Sequence, residues 1–202
     1  PGILPRAMGR AEDVRKPAPT WYGVSYDVGD GVIDRCHTLT LWRGSTPVLW
    51  ERWATVLDAC KTSSDWQPSE PAVFWKDTET LGCIVRTEEV TLYGEALRPF
   101  VAWTWEALDV PGKANVHAPV VLWVAGVGWV IAGREYVAGK RKTDKPAVCQ
   151  ATLWRLAFQG HAKAALERLL SLPSSGDCSY PGLVWDQSRG ELLVSWYSQH
   201  QR

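Results

Sequence analysis

Short apolar runs alternate with turn-forming residues along most of the chain, from Trp21 onward. Three pairs of runs are clearest: "PAVFWK" and "LGCIVRT" around "DTET", "PVVLWV" and "GWVIAGRE" around "AGV", and "GLVW" and "ELLVSWY" around "DQSRG". Runs of about four to eight residues rich in Val, Ile and Trp, bounded by Gly, Asp and Ser, are typical of β-hairpins. "TWYGVSYDV", "HTLTLWRG" and "CQATLWRLAF" predict further strands. The pattern therefore predicts an all-β chain.

Two segments have a pattern that also fits a helix. Residues 118–133, "APVVLWVAGVGWVIAG", are the most apolar segment, but the run is shorter than the roughly 20 residues that a membrane-spanning helix needs, and Gly126 and Gly128 interrupt it. Two strands around a turn explain it better. Residues 162–173, "AKAALERLLSLP", contain good helix formers, yet the run is short, follows the turn-like "FQGH" and stops at Pro173. We predict a strand here too.

The three hairpins resemble one another. Each opens with a small or proline-containing step, runs through Val, Leu and Trp, turns, and closes with a second apolar strand that ends near a polar residue: Arg86, Arg134 or Ser198. An earlier strand ending near Tyr26 extends the series. A recurrence every 40 to 60 residues, roughly, with about four strands in each unit is typical of β-propeller blades, although a β-sandwich also fits the composition.

A propeller has a consequence for function. The innermost strand of each blade lines a central channel, so polar residues at the ends of these strands converge on one mouth although they are far apart in sequence. The residues at such positions in this chain are Glu70, Arg86, Arg134 and Tyr180.

Composition removes several classes of function. Lys plus Arg and Asp plus Glu both total 22 in 202 residues, so no excess of positive charge favours nucleic acid or an anionic membrane surface. The five cysteines, Cys36, Cys60, Cys83, Cys149 and Cys178, include no pair at metal-site spacing, which favours buried free thiols over a zinc site or a disulfide framework. Most of the 13 tryptophans are expected in the core, although Trp also forms flat platforms for sugar rings. Nothing in the sequence calls for a metal or an organic cofactor.

Three charged residues near strand ends are candidates for a binding site. Glu70 precedes the apolar run of one hairpin, and Arg86 closes the strand that returns beside it. The two side chains can face one pocket, or they can form a surface ion pair near a turn, worth less than about 1 kcal/mol. Arg134 ends a strongly apolar strand, so its side chain either extends to solvent or points its guanidinium into a cleft; Glu135 beside it offers a simple surface alternative.

Tyr180 opens the last hairpin, in "GDCSYPGLVW". A phenol with the ordinary pKa of about 10 is a poor nucleophile near neutral pH. A nearby carboxylate can act as its base, and nearby arginines stabilise its phenolate form. The alternative is a tyrosine that is hydrogen-bonded at the start of a strand.

The segments that carry these residues resemble a known family. "SEPAVFW" and "GCIVR", then "VIAGR", then "LPSSGDCSYPGLVWDQSRGELLVSWYS" occur in the order found in the sialidases and their bacterial relatives, which are six-bladed propellers with BNR (Asp-box) repeats. "LLSLPSSGDCSYPGLV" is the most specific part, and "GSTPVLWERW" resembles a shortened Asp box without its Asp. The resemblance implies a sialidase-type β-propeller, present in part with about four blades over residues 21–202, after an irregular lead-in at residues 1–20.

The resemblance also implies roles for four residues. Tyr180 looks like the family's nucleophile, Glu70 like the carboxylate that activates it, and Arg86 and Arg134 like two of the three arginines that bind the substrate carboxylate. Bidentate Arg–carboxylate pairs suit a carboxylated sugar, and a neutral tyrosine avoids setting an anionic nucleophile against an anionic substrate. The family's remaining arginine and its acid/base Asp lie upstream of the matched region. Residues that do not match those two motifs, and receive no role, are Arg6, Arg10, Arg15, Asp13 and Asp27.

We therefore expect a sialidase-like glycoside hydrolase that acts on a terminal acidic sugar, with a sialoside-like glycan as its partner. One alternative is a non-catalytic carbohydrate-binding or scaffold propeller. Another is a hydrolase for an uncharged sugar, which predicts that at least one of the two arginines faces away from the mouth. The resemblance favours a secreted or periplasmic location, and the sequence leaves the oligomeric state open.

Overall fold

The computed structural model describes residues 20–28, 37–58, 66–139, 145–159, 163–174 and 176–199. The fold of these residues is all-β, as predicted: 71% of them are in strands, almost none are in helix, and the strands form four antiparallel sheets. The strands are β1 (Trp21–Val28), β2 (His37–Thr46), β3 (Leu49–Asp58), β4 (Ser69–Trp75), β5 (Thr80–Arg86), β6 (Thr91–Leu97), β7 (Thr104–Ala107), β8 (Asn115–Val124), β9 (Gly128–Val137), β10 (Val148–Gln159), β11 (Lys163–Ser171), β12 (Cys178–Asp186) and β13 (Glu191–Ser198). The predicted lead-in lies outside the described residues except for its last residue.

Helix is confined, in the described ranges, to one 3₁₀ turn at Pro111–Lys113. A helix with the length and apolar character to cross a membrane does not occur in these ranges. Residues 118–133 form the hairpin of β8 and β9, as predicted, because Gly126 and Gly128 adopt the positive φ angles that the intervening turn requires. The prediction of a strand near residues 162–173 is also confirmed, by β11.

Each sheet is a meander, in which strands that are consecutive in the chain pair side by side. The orders are β1-β2-β3, β4-β5-β6-β7, β8-β9-β10-β11 and β12-β13. The three predicted hairpins, β4–β5, β8–β9 and β12–β13, are present and supply the first two strands of their sheets. Three strands were not predicted: β3, β6 and β7.

The chain divides into two compact units, Pro1–Trp105 and Glu106–Arg202. The first unit has a core in which Tyr22 meets Trp75 and Phe100 edge to face, with ring centroids 5.7 and 5.3 Å away. Half-buried tryptophans surround this core and donate their indole N–H groups to backbone carbonyls, as Trp53 does to Pro99 (2.7 Å) and Trp105 to Val56 (3.2 Å). Five of the tryptophans in this unit pack against the core from its edge rather than filling it.

The second unit has its own apolar core. Val130 of β9 and Leu153 of β10 lie at its centre, and the β12–β13 hairpin covers them with Leu183, Trp185 and Val194. Trp154 is fully buried. Two of the predicted buried thiols, Cys83 and Cys178, are buried and Cys149 is half-buried, all three free; Cys36 and Cys60 lie outside the described residues.

Candidate functional site

An irregular X-Pro step interrupts the first strand of three sheets. It is Glu70–Pro71 in β4, Ala118–Pro119 in β8 and Tyr180–Pro181 in β12, and we call these dipeptides the proline bulges. At each one the strand register shifts, so that the two residues lie opposite a single residue of the next strand. The residue before each proline has a left-handed backbone, with φ of 48°, 47° and 48°. The three sheets therefore repeat one local structure.

This backbone conformation is costly for the residues that adopt it. A residue other than glycine is destabilised by roughly 1–2 kcal/mol when its backbone is in the left-handed region, and a residue before proline favours extended backbone instead. A β-bulge changes the direction of the side chains it contains, and strained residues of this kind concentrate at functional sites. The proline bulges are accordingly the strongest structural indication of a site in the chain.

The residue before each bulge pairs with a polar residue of the second strand. Ser69 lies opposite Arg86, His117 opposite Arg134, and Ser179 opposite Tyr197. The four residues predicted from the sequence thus fall on equivalent positions: two of them in bulges, Glu70 and Tyr180, and two beside bulges, Arg86 and Arg134.

In the first unit the structure brings Glu70 and Arg86 together. Arg86 Nη1 donates to Glu70 Oε2 at 3.2 Å. The side chain of Glu70 is 14% exposed and that of Arg86 is 24% exposed, so the ion pair is largely shielded from solvent. The Nε atom of Arg86 is buried and has no hydrogen-bond partner within the described part of the chain. A guanidinium with an unused donor beside a carboxylate is suited to bind an acidic group.

In the second unit two partners hold the guanidinium of Arg134. Its Nη1 donates to Asp177 Oδ1 at 3.0 Å, and its Nη2 lies 3.0 Å from His117 Nδ1. The interpretation of Glu135 as a surface alternative was wrong. Glu135 is buried and bound by Arg168, Thr152 and Gln150, because successive residues of a strand point to opposite faces. Arg134 also does not end its strand, since β9 continues to Val137.

Tyr180 joins the same group of side chains through a second tyrosine. Its ring is 46% exposed and stacks on that of Tyr197, with centroids 6.0 Å apart. The Tyr197 hydroxyl donates to Asp177 Oδ2 at 2.9 Å. Desolvation and this hydrogen bond raise the pKa of Tyr197 above its ordinary value. Contacts therefore run without a break from His117 through Arg134, Asp177 and Tyr197 to Tyr180.

A pair of thiols lies next to this group. Cys149 Sγ donates to the carbonyl of Gly176 at 3.3 Å, immediately before Asp177 and Cys178. Burial and the neighbouring Cys149 raise the pKa of the Cys178 thiol, which makes it a poor nucleophile. In the described ranges, no group of three or more His, Cys, Asp and Glu residues is placed to bind a metal ion.

Sequence reasoning selected four candidate residues and passed over three that the structure places in contact with Arg134 or Tyr180 or with their partners. Glu70 and Arg86 lie in the first unit and Arg134 and Tyr180 in the second, so the structure brings each pair into its own group of contacts. The residues that sequence reasoning missed are His117, Asp177 and Tyr197. Alignment of "SEPAVFW", "HAPVVLW" and "SYPGLVW" on their prolines would have placed His117 beside a bulge. No comparable local pattern marks Asp177.

Comparison with protein-family models finds no match, and comparison with curated proteins finds none either. Among solved structures, a protein of unknown function from Dyadobacter fermentans is similar, with a TM-score of 0.65 at 15% sequence identity. The alignment covers 97% of this chain and 50% of the other, so the chain spans about half the length of that neighbour. At this identity the likeness shows a shared fold alone.

Proposed function

We propose that the chain is a sialidase-like glycoside hydrolase, built from propeller blades, that acts on a terminal acidic sugar. One observation carries the proposal. The two residues that the family resemblance selects as nucleophile and activating carboxylate, Tyr180 and Glu70, occupy equivalent strained bulges in two different sheets. The resemblance was based on sequence order and did not use backbone conformation, so the agreement is independent support.

The sheet topology supports the propeller part of the proposal. Two sheets are four-stranded meanders, the form that a propeller blade takes, and each has its bulge in the first strand. In a propeller the first strand of each blade is innermost, which would direct the bulge residues toward the central channel.

The proposed chemistry begins with attack of the Tyr180 oxygen on the anomeric carbon. The phenolic proton passes to the Glu70 carboxylate as the new C–O bond forms and the glycosidic C–O bond breaks. The departing oxygen takes a proton from the family's acid/base Asp, which the resemblance assigns to sequence upstream of the matched region. Arg86 and Arg134 bind the sugar carboxylate through paired N–H donors.

Turnover of a fluorogenic sialoside by the intact protein tests the proposal. We expect Tyr180→Phe to lower kcat/KM by on the order of 100-fold or more, because the nucleophilic oxygen is removed. Tyr26→Phe is the matched control, since Tyr26 is a similarly exposed tyrosine of β1 and should leave turnover unchanged. Equal turnover by Tyr180→Phe and the unmodified protein would rule out the nucleophile.

A carbohydrate-binding function without catalysis is the second candidate, and the aromatic stack favours it. The rings of Tyr180 and Tyr197 stack on each other and are both close to half exposed, and an exposed aromatic face is the kind of surface that sugar rings contact. This function predicts that Tyr180→Phe retains sugar binding while Tyr180→Ala loses it. A protein that binds the sugar without turning it over, and that tolerates Tyr180→Phe, would fit this candidate and contradict the hydrolase.

A further inference from the structure

The guanidinium of Arg134 is held from two sides by groups of different charge. Asp177 accepts one N–H from Nη1, and His117 Nδ1 lies at hydrogen-bond distance from Nη2. The Nε atom is buried and has no partner in the described part of the chain. Because a guanidinium has two hydrogens on each Nη atom, one N–H on Nη1 and one on Nη2 are not used by these two contacts.

The contact with Arg134 determines which nitrogen of the His117 imidazole ring carries the hydrogen. An arginine side chain only donates hydrogen bonds and does not lose its proton in proteins. Nδ1 must therefore be the acceptor, so the hydrogen of the neutral ring is on Nε2. His117 thus meets Arg134 as an uncharged acceptor, whereas Asp177 meets it as an anion.

The backbone and the neighbouring ring keep His117 in place. It is the register partner of Arg134 and comes directly before the Ala118–Pro119 bulge. The side chain is buried, and its ring stacks on Tyr136 with centroids 4.8 Å apart. An imidazole ring held in this way cannot follow Arg134 if the arginine changes rotamer, so it selects one orientation of the guanidinium.

We propose that His117 is the positioning residue for Arg134 and prepares it to bind the carboxylate of an acidic sugar, an inference that rests on the proposed function. A neutral acceptor orients the guanidinium without cancelling its charge, whereas a second carboxylate in the same place would compete with the ligand. The unused N–H groups on Nη1 and Nη2 then have fixed directions and are available as donors to a carboxylate. Asp177 is the only anion in direct contact with this guanidinium among the described residues. The other ionisable groups around the cluster are Tyr136, Cys149, Cys178, Tyr180 and Tyr197.

The first test needs no ligand. Imidazole ¹⁵N chemical shifts of the intact protein should report the Nε2–H tautomer of His117, and the Nη signals of Arg134 should be resolved because rotation of the guanidinium is restricted. His117→Asn, whose Oδ1 can replace Nδ1 as acceptor, should keep those signals. His117→Phe, which keeps a ring to stack on Tyr136 but has no acceptor, should average them. An Nδ1–H tautomer, or unchanged Arg134 signals in His117→Phe, would overturn the inference.

The second test measures binding of N-acetylneuraminate and of its uncharged methyl ester by calorimetry. We expect about 10-fold weaker binding of the acid by His117→Phe, affinity within about threefold of the unmodified protein for His117→Asn, and no difference among the three for the ester. If His117→Phe does not fold, His117→Gln serves as the variant without an acceptor at the Nδ1 position, because the side-chain oxygen of Gln lies beyond that position. Equal losses in the Phe and Asn variants would overturn the role of the acceptor. Failure of the unmodified protein to bind the acid would contradict the proposed function instead, and the NMR test would still decide the role of His117.

Discussion

The three residues before the bulge prolines differ in chemistry and share one backbone conformation. Glu70 and Tyr180 have side chains that a reaction can use, but Ala118 has only a methyl group and the same φ to within 1°. The strain at Ala118 is therefore not offset by any interaction that a longer side chain would provide at that position. Of the three sites, this one shows the cost of the backbone conformation most directly.

Replacing Ala118 with glycine should stabilise the protein. Glycine adopts positive φ without the steric penalty of a Cβ atom, so we expect the free energy of unfolding to rise by about 1 kcal/mol. Urea denaturation of the two proteins measures the difference. Ala132→Gly in β9 is the control: Ala132 is buried in a regular strand, where glycine should destabilise. Destabilisation by both changes would show that the bulge at Ala118 is not strained.

At the scale of the strand, β6 contains Glu95, whose ionised carboxylate accepts two hydrogen bonds. Glu95 Oε2 accepts hydrogen bonds from Lys76 Nζ at 2.5 Å and from Tyr93 Oη at 2.7 Å. Burial has the largest single effect and raises the pKa of Glu95, but these two hydrogen bonds and the charge of Lys76 together lower the pKa below the ordinary value of 4.5. A carboxyl group with a lowered pKa stabilises the folded state above the unfolded pKa, and this contribution is lost as the pH falls through the folded pKa.

Glu95→Gln should therefore destabilise the protein in a pH-dependent way. We expect a loss of about 1 kcal/mol at pH 7, because both hydrogen bonds lose their charged acceptor. The difference from the unmodified protein should shrink as the pH is lowered below 4.5, where the unfolded carboxylate also becomes protonated. Thermal denaturation between pH 7 and pH values below 4.5 measures this difference in stability, and the substitution Glu191→Gln at an exposed position is the control. A difference that does not depend on pH would show that the ionised form of Glu95 is not responsible.

The three strands that were not predicted have short or interrupted apolar runs. β4, β5, β8 and β9 could be predicted because continuous Val, Ile and Leu between turn residues leaves few other structures. β3 contains "LWERWATVLD", in which charged residues interrupt the apolar pattern, and β6 contains a glycine in its centre. Gly94 is needed because a Cβ atom there would lie 2.5 Å from the ring of Trp105, a contact that depends on how the sheet folds.

The candidate site could also be predicted only where its residues border apolar runs. Glu70, Arg86, Arg134 and Tyr180 could be selected because they border apolar runs. The contacts of Asp177 with Arg134 and Tyr197 depend on how β12 packs beside β8 and β9, and strand packing is not encoded in local spacing. The positive φ at the bulges is even less predictable, because it opposes the preference of any residue that precedes proline.

At the scale of the whole molecule, the last sheet has apolar side chains on both faces. Leu183, Trp185 and Val194 face the core of the second unit, whereas Val184 and Leu193, which are paired across the two strands, are 60% and 55% exposed. β13 has no hydrogen-bonded neighbour on its outer side among the described strands. An apolar face beside an unpaired strand edge favours association with other chains.

Charges on this face should suppress such association. We expect the double variant Val184→Lys with Leu193→Lys to sediment as a smaller species than the unmodified protein at high concentration, because lysines on an edge oppose strand pairing. Sedimentation velocity measures the size. A control with the same added charge is Gln187→Lys with Ser188→Lys, in the turn between the two strands. Identical profiles for the two double variants would show that charge alone, and not the apolar face, sets the association state.

At the proline bulges the backbone conformation does not depend on which side chain is present. The proline, the register shift and the opposing residue fix the backbone at all three places, and the side chain that is presented there is an acid, a methyl group or a phenol. The backbone strain is nearly the same whichever of them is present, so differences in stability among the three positions come from the side chains, of which Ala118 is buried and Tyr180 is half exposed. The backbone at Ala118 thus has the conformation of the two proposed catalytic positions while its side chain supplies no reactive group.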